Sequence, residues 1–353
     1  MKRILITGNM GYVGPVLVQH LRSRYPDAFL AGLDTGFFGK MVTGGTLLPE
    51  SLLDVQYFGD VRRLHSQALE GVDAVICLAA ISNDPIGNKF EEVTLDINAE
   101  AAITLARMAK AAGAKHFVFA SSCSVYGFAE DGARKEASPL NPLTAYAKSK
   151  VMAEEGLAAF ASDDFIVTCH RFATACGFSH RLRLDLVLND FVAGALTSGK
   201  IDILSDGTPW RPLINVADMA LAMEWSAQRS HYHGGPYLIV NTGTDEWNYQ
   251  VRELADAVAA KVPGTQVSVN PNAQPDKRSY RVDFALFKEL APNHQPKNTL
   301  NDSIDGLIQG LRSMGFADDN FRQSELIRLK VVDKLKADGL VDNQLELTRK
   351  TPS

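Results

Sequence analysis

Tyr146 and Lys150, in Tyr146-Ala147-Lys148-Ser149-Lys150, are four residues apart and share one face of any helix that contains them. A phenol with a pKa near 10 is a poor base at neutral pH, and bringing it to about 7 takes roughly 4 kcal/mol of preferential stabilisation of the phenolate. One ammonium at ~4 Å in a partly screened site supplies about that much. The pair is therefore sufficient as a tuned acid/base, although a Tyr and a Lys at this spacing also occur together as plain surface residues. A third element is Ala120-Ser121-Ser122-Cys123-Ser124-Val125-Tyr126-Gly127, at the end of an apolar run. A hydroxyl there can hold a substrate oxygen while Tyr146 exchanges its proton; a serine-rich turn is the plainer reading.

Nearer the N-terminus, Thr7-Gly8-Asn9-Met10-Gly11-Tyr12-Val13-Gly14 follows a short apolar run and opens a stretch of helical periodicity. Gly8, Gly11 and Gly14 allow a tight turn and close backbone approach, and the N-terminus of the helix presents free N–H groups and a partial positive charge to a pyrophosphate. Asp34 follows Gly14 by twenty positions, at the end of the next apolar run. A carboxylate there accepts hydrogen bonds from adenosine ribose hydroxyls and repels a 2′-phosphate, which predicts NAD rather than NADP.

The elements that must position these groups read as α/β. Strands are expected at Arg3–Thr7, Ala28–Leu33, Val55–Phe58, Ala74–Leu78, His116–Ser121 and Phe165–Arg171, and helices at Tyr12–Arg24, Glu91–Ala112 (stopped by Gly113) and Thr144–Phe160. Short apolar runs alternating with helical stretches predict a doubly wound parallel sheet of Rossmann type. The stretch 36–49 reads as a loop. After about Cys176 the rhythm changes, with Asp206-Gly207-Thr208-Pro209 as a turn, and predicts a second, smaller mixed α/β lobe for substrate. We expect a dinucleotide-binding domain over 1–175, to which about 208–240 returns. The substrate lobe then comprises 176–207 and 241–320, and a C-terminal helix and tail occupy 321–353. The basic amphipathic run 323–337 is read as a helix packed on the body.

The chain has 353 residues, 46% hydrophobic and 22% charged, enough apolar material for a large core. A net charge of -5 argues against a nucleic-acid partner while leaving room for a small anionic ligand. No apolar run approaches the ~20 residues of a membrane helix. Cys77, Cys123, Cys169 and Cys176 form no CxxC pair, and His231 and His233 have no evident third ligand. We therefore expect a soluble protein in the reducing cytoplasm, with no metal centre.

Taken together, these residues resemble the extended short-chain dehydrogenase/reductase family, which includes UDP-galactose 4-epimerase and the NDP-sugar 4,6-dehydratases. The resemblance covers nearly the whole chain. It implies that Ser122, three places before the valine of Val125-Tyr126-Gly127, forms a triad with Tyr146 and Lys150. It implies a cofactor site made by Gly8, Asn9, Met10, Gly11, Tyr12, Val13 and Gly14 with Asp34. Asp60 and Val61 would lie by the adenine, Leu78-Ala79-Ala80 along the cofactor, and Asn98 near the active-site helix, with Ser121, Tyr146 and Lys150 also touching the cofactor. For a nucleotide sugar it points to Asn189, Arg211 and Arg278, with Ser82, Ser122, Cys123, Ser124, Tyr146 and Thr174 beside them; paired guanidinium forks suit a diphosphate. Asp60 equally fits a helix cap, and the arginines fit a solvated surface.

Two departures matter. Relatives often carry Asn where this chain has Thr174, and the 4,6-dehydratases place an Asp-Glu pair where Cys123 and Ser124 stand, so dehydration through that pair is not expected. The expected activity is epimerisation of a nucleotide-diphosphate sugar through a transient keto sugar, at C4. The alternatives are an NDP-sugar dehydrogenase or keto-sugar reductase, and a non-catalytic dinucleotide-sensing regulator. The family also implies a homodimer built on the 91–112 and 144–160 helices.

Overall fold

Ile4, Leu5 and Ile6 all have 0% exposure, the mark of a strand covered on both faces. They lie in β1 (Arg3–Thr7) of the computed structural model, which describes residues 2–45, 47–270, 273 and 278–348. Then come α1 (Gly14–Arg24), β2 (Phe29–Asp34), β3 (Val55–Phe58), β4 (Ala74–Cys77), α2 (Asp84–Lys89), α3 (Glu91–Leu95) and α4 (Ala101–Ala111). These lead to β5 (His116–Ser122), β6 (Phe128–Arg134), α5 (Ala145–Ala158), β7 (Ile166–Phe172), β8 (Thr174–Cys176) and α6 (Val187–Thr197). Beyond lie β9 (Lys200–Ile203), β10 (Trp210–Asn215), α7 (Val216–Ser226), β11 (Tyr237–Thr242), β12 (Asn248–Gln250) and α8 (Val251–Lys261). The chain closes with β13 (Gln266–Val269), β14 (Ser279–Val282), α9 (Ala285–Leu290), α10 (Leu300–Ser313) and α11 (Arg328–Ala337).

Seven strands form one parallel sheet in the order β11-β7-β5-β4-β1-β2-β3. This is a Rossmann-type α/β fold, with the strand order reversing between β1 and β4, so ligands are expected at the carboxyl ends of those strands. All six anticipated strands are present, and β11 adds a seventh at the edge. Of the segment expected to return, α7 packs on α1 and β11 joins the sheet, whereas β10 pairs with β8 and β12 in a separate three-stranded sheet. The lobe around that small sheet has its own core of Leu184, Leu188, Leu213, Leu254, Leu307 and their neighbours.

Local signals explain the helix ends. Pro15 in the first turn of α1 has φ suited to a helix and no N–H to waste. Thr144 caps α5 by accepting from Ala147 N at 3.2 Å, and Gly113, at φ +89°, turns the chain out of α4. The single helix expected over Glu91–Ala112 is three pieces, because residues Asp96–Glu100 form a π-turn between α3 and α4. The wider turn brings Asn98 inward, where its side chain bonds both backbone groups of Ile81 (2.8 and 2.9 Å) and Ser149 Oγ (3.0 Å). The helix expected from 323 begins at Arg328, since Phe321–Gln323 is a 3₁₀ turn and Ile327 is extended.

Candidate active site

The cleft at the carboxyl ends of β1, β2, β4 and β5 encloses about 490 Å³, a size typical of small-molecule sites. Gly8 leaves β1 at φ +76°, and a Cβ there would lie 2.5 Å from Ala79 N, so only glycine fits between the two strand ends. A Cβ on Gly14 would overlap Asn9 O at 2.0 Å, which locks the turn onto α1. Gly11 differs: a Cβ there would meet only Gly8 O, at 3.2 Å, and the residue faces the cleft. Asp34 closes the turn from β2, accepting from Met10 N at 3.0 Å and Gly36 N at 2.8 Å. Burial raises its carboxyl above the usual range while these two amides pull it back. A carboxylate can accept about four hydrogen bonds, which leaves capacity for ribose hydroxyls.

Gly8, Gly11, Tyr12, Val13, Asp34, Asp60, Val61, Leu78, Ala79 and Ala80 all line the cleft. Asp60 does so while also capping the next turn through Arg62 N (2.9 Å) and pairing with the Arg62 guanidinium (2.6 Å). Asn9, Met10 and Gly14 lie behind the lining and act on the shape of the turn, while Asn98, also behind it, holds Ile81 and Ser149. Asn9 bonds Gln56 at 2.6 Å across the neighbouring strand, and Met10 contributes the amide that Asp34 accepts.

Ser121, Ser122, Tyr146 and Lys150 meet at the inner end of the cleft. Ser122 lies close enough to Tyr146 to pull its pKa down, and Ser122 Oγ accepts from Ser124 N at 3.1 Å. Lys150, only 3% exposed, donates from Nζ to Ala120 O at 2.7 Å and lies 5.5 Å from the centroid of the Tyr146 ring. Here the electrostatic expectation is corrected. Burial pushes Tyr146 up to about 12 against the pull of Ser122 and Arg183, and it draws Lys150 down to about 8. Desolvation is the largest influence on both groups, and the Lys150 ammonium is held by the Ala120 carbonyl beside the ring.

Further out, Ser82, Ser124, Thr174, Arg211 and Arg278 line the cleft as well. Arg211 hydrogen-bonds the carbonyl of Arg278, and Arg278 Nη1 pairs with Asp84 Oδ2 at 2.7 Å. Cys123 is placed elsewhere: it is 1% exposed, donates from Sγ to Arg171 O, and burial drives its thiol pKa well up. Asn189 has no exposure and is fully engaged with Gly177 N, Tyr12 Oη and Arg183 O, so it fastens α6 to the glycine turn from behind. Among the described residues no cluster of His, Cys, Asp and Glu could hold a metal ion.

The family model for the NAD dependent epimerase/dehydratase family matches residues 4–241, two thirds of the chain. The chain belongs to that family. It is similar to UDP-glucuronic acid decarboxylase 1 of Arabidopsis thaliana, 24% identical with 88% of this chain and 70% of the relative covered. It is also similar to a UDP-glucose 4-epimerase of Streptomyces lividans, 27% identical with 72% and 80% covered. Among solved structures, MoeE5 in complex with UDP-glucose and NAD superposes with a TM-score of 0.74 at 25% identity, covering 88% of this chain and 98% of that one. TunA, an NAD dependent NDP-hexosamine 5,6-dehydratase, gives 0.76 at 25% identity, covering 91% and 100%.

As a member of the NAD dependent epimerase/dehydratase family the protein is an NAD-dependent enzyme of nucleotide-sugar chemistry. The residues present fit that cofactor: a glycine cradle that a Cβ would fill, the Asp34 carboxylate at the end of β2 and an apolar wall of Leu33, Val61, Leu78 and Ile97. Sequence reasoning missed four charged groups of this enzyme's cleft: Asp84, Arg183, Asp185 and Arg328. Arg183 forms a two-pronged pair with Asp185 (both 2.9 Å) and donates to Ser82 Oγ at 2.9 Å. The alternation in Arg181-Leu182-Arg183-Leu184-Asp185, with charges on every second residue, was the available signal.

Proposed function

We propose that this enzyme epimerises a nucleotide-diphosphate sugar by transient oxidation of a ring hydroxyl, at C4, to a keto sugar. NAD, when bound, supplies reversible two-electron oxidation of the sugar carbinol. Tyr146 removes and returns the hydroxyl proton, Ser122 holds the sugar oxygen, and Lys150 fixes the end of β5 while adding positive charge beside the Tyr146 ring. Arg211 and Arg278 receive the diphosphate of the sugar nucleotide.

The observation that carries this reading is that Ser122, Tyr146 and Lys150 line one cleft together with the glycine turn and Asp34. The positions after Ser122 supply no carboxylate to drive elimination, since Cys123 is buried and bonded to Arg171 O. Transient oxidation followed by reduction then needs no further acid or base. A dehydratase reading draws on another observation: Asp84 Oδ1 is buried without a hydrogen-bond partner, and its charge reaches Tyr146.

The test is proton NMR of the protein with NAD and UDP-, GDP-, CDP- and dTDP-sugars, including UDP-glucuronic acid. An inverted sugar appearing without accumulated NADH supports epimerisation. Loss of water supports the dehydratase reading, and release of CO₂ replaces both with decarboxylation. Accumulated NADH would indicate a dehydrogenase. Tyr146→Phe should lower turnover by roughly 10²–10⁴-fold with NAD binding retained; an unchanged rate removes Tyr146 from the chemistry.

We further propose a homodimer through segments 91–112 and 144–160, supported by the exposure of Met152 on α5. Sedimentation showing only monomer at micromolar concentration rejects it. The four cysteines, all free and buried, suit a reducing, cytoplasmic setting.

A further inference from the structure

The chain beyond residue 320 lies outside the stretch matched by the family model, yet it reaches the cofactor cleft. Leu184 N donates to Leu326 O at 3.0 Å, tying this arm to the substrate lobe. Helix α11 then packs Val332 among Ile86, Phe90, Val93, Val341 and Leu345. Arg328, Val332 and Leu345 form part of the cleft lining.

Arg328 is the unusual member. It is 3% exposed, its Nη2 donates to Arg181 O at 2.8 Å, and its guanidinium lies 4.2 Å over the Phe38 ring. Its Nη1 is buried with no hydrogen-bond partner. Two neighbouring guanidiniums have their own carboxylates, Arg181 with Glu50 at 2.7 Å and Arg183 with Asp185 at 2.9 Å. Among the described residues none lies within ion-pair distance of Arg328. Burial and the repulsion of Arg183 draw its pKa down to about 9. Helix stability does not account for it either, because a cation in the first turn of α11 opposes the helix dipole. A buried cation with an unused donor and no carboxylate paired to it is an incomplete anion site.

The position selects the anion. Arg328 lies within electrostatic reach of Asp185 and, less strongly, of Asp34 at the end of β2; it also reaches Tyr12 in the glycine turn, and its stacking partner Phe38 follows β2. The other cleft arginines, Arg211 and Arg278, stand with Asp84 and Tyr280 instead. We propose that Arg328 donates to the diphosphate of NAD, and that the arm 321–348 is a strap that holds the cofactor in place between turnovers. Retention of this kind suits an enzyme that returns to the sugar what it removes. The Arg328 contact itself rests only on NAD as the cofactor, so it stands or falls apart from the epimerase reading.

The test needs no sugar substrate. Titration calorimetry would compare wild type, Arg328→Gln and Arg328→Lys with NAD, ADP-ribose, adenosine and UDP, alongside the thermal midpoint of each protein without nucleotide. Arg328→Gln should weaken NAD and ADP-ribose by roughly 10- to 100-fold, leave adenosine and UDP within about twofold, and not lower the ligand-free midpoint. Arg328→Lys should recover part of the loss, since it restores the charge without the planar fork. Unchanged NAD affinity overturns the proposal. So does a loss confined to UDP, which would move Arg328 to the diphosphate of the sugar nucleotide, and so does a loss of all four ligands with a lowered midpoint, which would make Arg328 a structural residue.

Discussion

Lys150 and Glu154 stand one turn apart on α5 and grip successive residues of β5: Lys150 Nζ donates to Ala120 O at 2.7 Å, and Glu154 Oε1 accepts from Ser121 Oγ at 2.5 Å. Ser122, next in line, is thereby set against Tyr146 on the same helix. Glu154 reaches further, to Arg171 on β7 at 2.7 Å, so the reacting hydroxyls rest on a buried polar brace across three elements.

Removing one side of that brace leaves the other charge buried. Glu154 and Arg171 are 2% and 3% exposed, and breaking such a pair costs about 3–5 kcal/mol. Glu154→Ala should therefore lower the urea midpoint of unfolding sharply, with an unchanged slope. A midpoint shift corresponding to under about 1 kcal/mol would show that the brace is dispensable.

Lys150 is held against its own stability. Its pKa falls from 10.5 to about 8 through burial, a penalty of ~3 kcal/mol on the charged form. Because the fold favours the neutral amine, the penalty is fully present below about 8 and fades as pH rises through 10.5. Lys150→Met should raise the thermal midpoint at pH 7, lose that gain at pH 10.5, and lower turnover by roughly 10²-fold or more. A variant less stable than wild type at pH 7 would contradict this.

Asp34, which lines the cleft and accepts from two backbone amides, is the residue we propose to set the cofactor preference. Asp34→Asn keeps an oxygen for Met10 N or Gly36 N but removes the charge that repels a 2′-phosphate. The ratio of NADP to NAD affinity should rise roughly 10-fold or more, as read by fluorescence titration. An unchanged ratio would assign Asp34 to the turn alone.

Acid sensitivity should trace in part to Glu224. Burial pushes its carboxyl up, but hydrogen bonds from His20 (2.7 Å) and Tyr25 (2.7 Å) outweigh that and hold it at about 2, below the usual 4.5. The lowered folded pKa means that this stabilisation is present above pH 4.5 and is lost as pH falls through about 2. Glu224→Gln should flatten the unfolding curve across that window; an identical acid limb in both proteins would discount the group.

The sequence by itself determined the parallel sheet, the glycine turn with Asp34, and the pairing of Tyr146 with Lys150. Tyr146 and Lys150 lie four positions apart on one helix. The sheet and the glycine turn with Asp34 follow from the regular order of strand, turn and helix along the chain, a pattern that survives folding unchanged. Tertiary structure alone decided what depends on distant segments. It brought Arg328 and Arg183 to a cleft lined by Gly11, turned Asn189 and Asn98 into internal fasteners, and buried Cys123 beside a residue that faces the site. It also reversed the expected titration of Tyr146. A Coulombic attraction can be read from a spacing of four residues, but desolvation depends on every atom packed around the phenol, and those atoms come from the whole chain.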